Sequence, residues 1–169
     1  MLLAVGTVWG SDPFAAGVRA TDPLTSAAAA KTFTLPTGFR IQLFAAEPEI
    51  NKPMNLAFDA RGRLWVTSTL EYPYPAKPGT KGRDSVKVLE DTDGDGRADK
   101  ITTFADGLNI PTGVYPYRDG AIVWSIPNIW FLRDTDGDGR ADRREKVYGP
   151  LGFERDTHGM HSSFTRGFD

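Results

Sequence analysis

Beyond residue 39 the hydrophobic and polar positions fall into short runs of period two. Phe39-Arg-Ile-Gln-Leu-Phe44 alternates, and so does Val86-Lys-Val-Leu89. Leu64-Trp-Val-Thr67 and Ala121-Ile-Val-Trp124 are β-branched or aromatic runs that follow closely on a glycine. Such runs, separated by turn residues, predict strands of a few residues each. Asn55–Trp65, Tyr117–Val123 and Ser163–Asp169 read as strand, Asp/Gly turn, strand. Glu71–Arg83, rich in Pro, Tyr and Gly, reads as an extended loop. One short helix is predicted within residues 21–35. Thr21 or Asp22 caps it, Pro23 suits its first turn and the alanine run propagates it, until Pro36 and Gly38 end it. The pattern is all-β with one short N-terminal helix.

The strongest internal signal is a duplication. Asp91-Thr-Asp-Gly-Asp-Gly-Arg-Ala-Asp99 returns 43 residues later as Asp134-Thr-Asp-Gly-Asp-Gly-Arg-Ala-Asp142. A β-rich repeat of about 40–45 residues has the length of one four-stranded propeller blade. The expected architecture is therefore a partial β-propeller, about two blades of a six-bladed ring, over residues 39–169. Residues 21–38 are the helix and linker, and residues 1–20 a signal remnant or disordered tail. Because two blades cannot close a ring, the sequence reads as a fragment of a longer chain.

The duplicated segment carries chemistry. In each copy, carboxylates stand at loop positions 1, 3, 5 and 9, with Gly at 6, the spacing by which a calcium loop wraps hard oxygen ligands around one ion. The candidate ligands are Asp91, Asp93, Asp95 and Asp99 in the first copy, and Asp134, Asp136, Asp138 and Asp142 in the second. Glu145 adds a carboxylate at position 12, where the first copy has Thr102. The flanks Val86, Val88, Ile101, Thr102 and Thr103 favour strands, so these are hairpin loops and not EF-hands. Asp-Gly pairs also make tight turns without any ion. Arg97 and Arg140 stand ready as counter-charge.

Composition narrows the chemistry. The 169 residues carry 20 Lys and Arg against 22 Asp and Glu, a net charge of −2, which argues against nucleic acid as a partner. There is no Cys, so disulfides, thiolate zinc sites, c-type haem attachment and a Cys nucleophile are excluded within the chain. Residues 1–10 are apolar but too short to span a membrane. With Ala15, Ala16 and Gly17 they resemble an export signal, although the basic n-region is missing. The expected location is exported, periplasmic or cell-surface. Both histidines lie in one segment, His158 and His161. A His at a strand entrance can serve as a general base near neutral pH, with Asp156 to orient it and Arg155 to hold an anionic group; it can equally be an inert loop residue.

Gly38–Pro48, Asn55–Val66, the two acidic loops and Thr157–Asp169 together resemble the N-terminal part of the membrane-bound dehydrogenase domain of planctomycete and verrucomicrobial bacteria. That domain is similar to the quinoprotein glucose/sorbosone dehydrogenases. The resemblance covers about residues 21–169. It implies pyrroloquinoline quinone and Ca²⁺ as cofactors of the intact protein, a sugar or related alcohol as substrate, and cytochrome c as electron acceptor. It implies His158, or second His161, as the base that takes the substrate proton. The sequence departs from the working enzymes: Trp65–Leu70 lacks an acidic or amide residue at the strand end, with Glu71 displaced, and no Cys-x-x-Cys-His follows. The chain alone is therefore expected to be inactive. The alternative is a non-catalytic calcium-stabilised module that binds carbohydrate or protein, with Tyr72, Tyr74, Trp124 and Trp130 as stacking surfaces.

Overall fold

The computed structural model describes residues 22–154 and 157–168. The chain divides into two units, Met1–Ile41 and Gln42–Asp169. In the first, one helix, α1 (Ser26–Ala30), uses the alanine run. Its N-cap is Thr25, whose side chain accepts from the Ala28 amide at 3.2 Å. The cap is thus not Asp22, and Pro23 lies before the helix. Thr21 and the expected signal remnant over residues 1–20 lie outside the described residues.

The second unit holds eight strands: β1 (Pro53–Phe58), β2 (Leu64–Ser68), β3 (Asp84–Glu90), β4 (Lys100–Leu108), β5 (Gly113–Tyr117), β6 (Gly120–Ser125), β7 (Asn128–Arg133) and β8 (Arg143–Tyr148). They form two antiparallel sheets, ordered β1-β2-β3-β4 and β5-β6-β7-β8. Within each sheet every strand pairs with its neighbour in sequence, so every connection there is a hairpin, and the β4–β5 link passes from one sheet to the other. In the β1–β2 turn, Asp59 Oδ1 accepts the amides of Arg61 and Arg63, at 2.9 and 3.0 Å. Its Oδ2 receives Arg63 Nε at 2.7 Å and Trp65 Nε1 at 3.0 Å. Partial burial works against the charged form of Asp59, but these hydrogen bonds outweigh it and hold the carboxyl below its ordinary value.

Alternation sets the core. Trp65, Val86, Val88 and Phe104 of the first sheet pack on Val114, Ala121, Val123 and Leu132 of the second. Trp65 and Phe104 meet edge to face, ring centres 4.7 Å apart. On the opposite face of the first sheet, Val66 and Leu89 are covered by Phe44, Ala45 and Ile50. A third cluster gathers Ile110, Trp124 and Ile126, with Tyr72, Phe153 and Phe164 packed around them.

Three expectations are corrected here. The two sheets share one interface and do not close into a ring, so the partial propeller is replaced by two stacked four-stranded meanders. A single shared interface leaves the two outer faces apart, with no contact to draw them around a channel. Phe39–Phe44 alternates but forms no strand, because no neighbouring strand pairs with it. Residues 163–168 likewise lack strand structure; Phe164 packs into the third cluster instead. The Glu71–Arg83 segment is a loop, linking β2 to β3.

Candidate metal centre in two acidic hairpin loops

Asp91–Asp99 joins β3 to β4, and Asp134–Asp142 joins β7 to β8, so the duplicated sequence occupies the same place in each sheet. The local structure is duplicated too. Asp91 accepts the amides of Gly94 and Gly96, both at 2.7 Å. Asp134 accepts those of Gly137 and Gly139, at 2.7 and 2.9 Å. All four glycines have positive φ, between 78° and 87°, which lets the chain curl its amides back onto the first carboxylate. Asp95 and Asp138 each accept the amide two residues on, from Arg97 and Arg140, at 2.7 Å. The loop is closed by a threonine clamp: Thr92 donates to Asp99 from its hydroxyl and amide, and Thr135 does the same to Asp142. The Thr92 hydroxyl lowers the Asp99 carboxyl below its ordinary value, and the Thr135 hydroxyl does so for Asp142.

This geometry brings some of the sequence candidates together and not others. Oxygens of Asp91, Asp93 and Asp99 lie within 4.8 Å of one another, as do those of Asp134, Asp136 and Asp138. Ligands about 2.3–2.6 Å from a shared ion can be that far apart, so each triad can hold one divalent cation. Asp95 and Asp142 stand outside the triads. Glu145 lies on β8 and ion-pairs with Arg143 at 2.8 Å and Arg133 at 3.2 Å. Arg133 also meets Asp119 at 2.7 Å, which lowers the Asp119 carboxyl and raises the guanidinium. Neither Arg97 nor Arg140 forms an ion pair with a loop carboxylate among the described residues, so the counter-charge expected of them is not supplied. Each loop also leans on the segment beside it. Ala98 donates its amide to the Phe44 carbonyl at 2.9 Å, and Ala141 to that of Phe104 at 2.7 Å. The Gln42 side chain donates to the Asp95 carbonyl.

The histidines lie in the coil after residue 156. The His158 ring meets Tyr72 edge to face at 5.6 Å, and His161 meets Trp124 at 5.1 Å. The His161 carbonyl accepts from Thr112 Oγ1 at 2.8 Å. Neither ring opens on a channel, since the sheets form none. Asp156 and Arg155 lie outside the described residues. Trp124, expected as a stacking surface, is fully buried, and Tyr72 packs in the same cluster.

A family profile matches residues 25–169. The chain belongs to the family described as a domain of unknown function, DUF7133. No curated protein and no solved structure matches it. The DUF7133 match, together with the open pair of sheets, overturns the membrane-bound dehydrogenase resemblance. The quinoprotein dehydrogenase reading falls with it, and so does the propeller-module alternative, because both depend on a closed ring. Two features of this DUF7133 chain escaped the sequence reading. One is Asp84, buried at the start of β3. The other is the threonine clamp, which was visible as the repeated Asp-Thr-Asp but pointed to no role until Thr92 and Thr135 were placed against Asp99 and Asp142. Among the described residues, no helix is long and apolar enough to cross a membrane.

Proposed function

We propose that this DUF7133 chain is a calcium-loaded β module in which one Ca²⁺ sits in each acidic hairpin loop and fixes its shape. The observation that carries the reading is the twofold convergence of three carboxylates at one place in both sheets, without a paired arginine to neutralise them. Three like charges held this close repel unless a cation lies between them. Ca²⁺ suits them better than Mg²⁺, because it takes six to eight oxygens in flexible geometry while Mg²⁺ demands near-ideal octahedral geometry. Asp91, Asp93 and Asp99 supply the side chains in the first loop, and Asp134, Asp136 and Asp138 in the second. Backbone carbonyls, water and the neighbouring Asp95 and Asp142 complete the shell. The ion's role is structural: it ties the β3–β4 and β7–β8 hairpins at their tips. Exposed loops of this kind suit the extracellular affinity range of about 10⁻⁴–10⁻³ M, in keeping with the export read from residues 1–17.

Calorimetric titration of the metal-free chain with CaCl₂ tests this. Two sites are expected, one of them lost in Asp91→Asn/Asp93→Asn and the other in Asp134→Asn/Asp136→Asn. Mg²⁺ is expected to bind more weakly. An absence of heat together with an unchanged melting temperature refutes the proposal.

A further inference from the structure

We propose that the cleft beside the β2–β3 loop is a binding site for a small amphipathic anion, an organic molecule with an apolar body and one carboxylate or sulfonate head. The cleft measures about 600 Å³, the size of sites that take a small organic ligand. The β2–β3 loop and the β6–β7 turn line it, so it lies at the end of the sheets opposite the two acidic loops and owes nothing to bound calcium. Its floor is apolar. Leu108, Ile126 and Leu132 are buried there, and Trp130 and Phe153 are half-buried beside them. Polar groups within it are engaged by the fold. Trp130 donates its indole N–H to the Ser125 carbonyl at 3.2 Å. Ser125 Oγ accepts the Asn109 amide at 2.9 Å. Asn109 Oδ1 accepts the Ala76 amide at 2.9 Å, which ties the loop to the β4–β5 link. What the interior offers a ligand is apolar contact.

Charge names the other half of the ligand. Lys77, Lys81 and Arg144 line the cleft, and among the described residues no Asp or Glu does. In a chain of net charge −2 this is a local positive excess. Two of the cations are held in place by Asp106, which does not itself line the cleft. Lys81 Nζ meets Asp106 Oδ1 at 3.0 Å, and Arg144 donates to the Asp106 carbonyl at 2.6 Å. Arg144 also lies 3.8 Å from the same carboxylate. One carboxylate thus stands against three cations, and Lys77 forms no ion pair among the described residues. The Lys81 stem lies along Gly107, where a Cβ would stand 2.1 Å from Lys81 Cε. A side chain at 107 would therefore displace the lysine that the bare backbone admits. A cationic ligand is repelled by this set, and an inorganic anion leaves the apolar floor uncovered. A molecule with both an apolar body and an anionic head meets floor and cations together.

Titration of the full chain with anilinonaphthalene sulfonate, followed by fluorescence and by amide NMR shifts, tests the proposal. Phenylnaphthylamine, which has the same rings without the sulfonate, is titrated in parallel. One saturable site is expected for the sulfonate, with shifts gathered at the Gly79, Gly82 and Gly107 amides and the Trp130 indole. The uncharged amine is expected to bind there more weakly. Lys77→Gln/Lys81→Gln removes two cations and is expected to weaken the sulfonate about tenfold, leaving the amine unchanged. Arg144→Gln repeats the test from β8, and a thermal melt confirms that each variant is folded. The proposal is overturned if the sulfonate does not saturate, or if its shifts gather elsewhere. It is overturned equally if the amine binds as tightly as the sulfonate, since the cations then select nothing, or if folded variants bind the sulfonate undiminished.

Discussion

Replacing Asp84 tests how the two sheets are joined. This carboxylate is fully buried, and no cation pairs with it among the described residues. Four donors converge on it instead. Oδ2 accepts from Thr69 Oγ1 at 2.7 Å and from the Ile110 amide at 2.9 Å. Oδ1 accepts from the Leu70 and Glu71 amides at 2.6 and 3.1 Å. It thereby fastens the end of β2 to the segment that leads into β5, and pins Ile110 at a φ of 46°, a conformation that a β-branched residue rarely adopts. In Asp84→Ala the Ile110 amide is stranded without water, which costs about 1–3 kcal/mol. Leu70 is partly exposed, so the amides of Leu70 and Glu71 recover part of their loss through water and cost about 1 kcal/mol each. The expected destabilisation is about 3–5 kcal/mol, a large share of the roughly 5–15 kcal/mol that holds a domain folded. Asp84→Asn keeps one acceptor oxygen but turns an NH₂ group towards the Ile110 amide. It should cost about 2 kcal/mol, since one buried donor is then opposed by another. Urea unfolding followed by tryptophan fluorescence measures both. The reasoning is refuted if Asp84→Ala falls within about 0.5 kcal/mol of wild type, the range of ordinary surface substitutions, or if the asparagine variant is the weaker of the two.

Two further outcomes follow from close contacts and from charge. A Cβ at position 120 would stand 1.9 Å from the Leu132 carbonyl oxygen across the β6–β7 pair. Gly120→Ala should therefore cost at least about 2 kcal/mol as overpacking, lowering Tm by about 4–8 °C in a chain of this length; an unchanged melt would show that the strands can separate freely there. Asp99 and Asp142 have lowered folded pKa values, so the stability they contribute is present above their unfolded value of about 3.9 and is lost as pH falls through the lowered folded values. Thr92→Val and Thr135→Val should move that loss to higher pH, read from carboxyl carbon shifts in calcium-free buffer; an Asp99 that titrates at its ordinary value in the unaltered chain contradicts the clamp.

Period-two alternation was enough to place β2, β3 and β6, because each buries one face in a shared core. The β1–β2 and β5–β6 turns were legible from Asp-Ala-Arg-Gly and Arg-Asp-Gly, residue types that fold back on their own amides. Pattern alone misled at Phe39–Phe44 and at residues 163–168, because a strand requires a hydrogen-bonding neighbour as well as a pattern. The repeat length misled about closure, since a period reports the size of a unit and says nothing of how many units meet in a ring. At the acidic loops the spacing pointed to carboxylates gathered closely enough to hold a divalent cation, yet it could not show that Glu145 would be drawn onto β8 by Arg143 and Arg133. Asp84 was invisible for a different reason. An aspartate at the head of an alternating run looks like a solvated turn residue, and only the fold reveals four donors waiting around it.

The pairing of each strand with its predecessor also bears on how the chain acquires its structure. No hydrogen-bonded ladder needs residues from distant parts of the sequence, and the longest link between paired strands is the Glu71–Arg83 loop with its flanks. Each meander can zip hairpin by hairpin with little loop-closure entropy to overcome. What remains is to join the two sheets through Trp65, Phe104 and Leu132, a step that brings together residues far apart in the sequence.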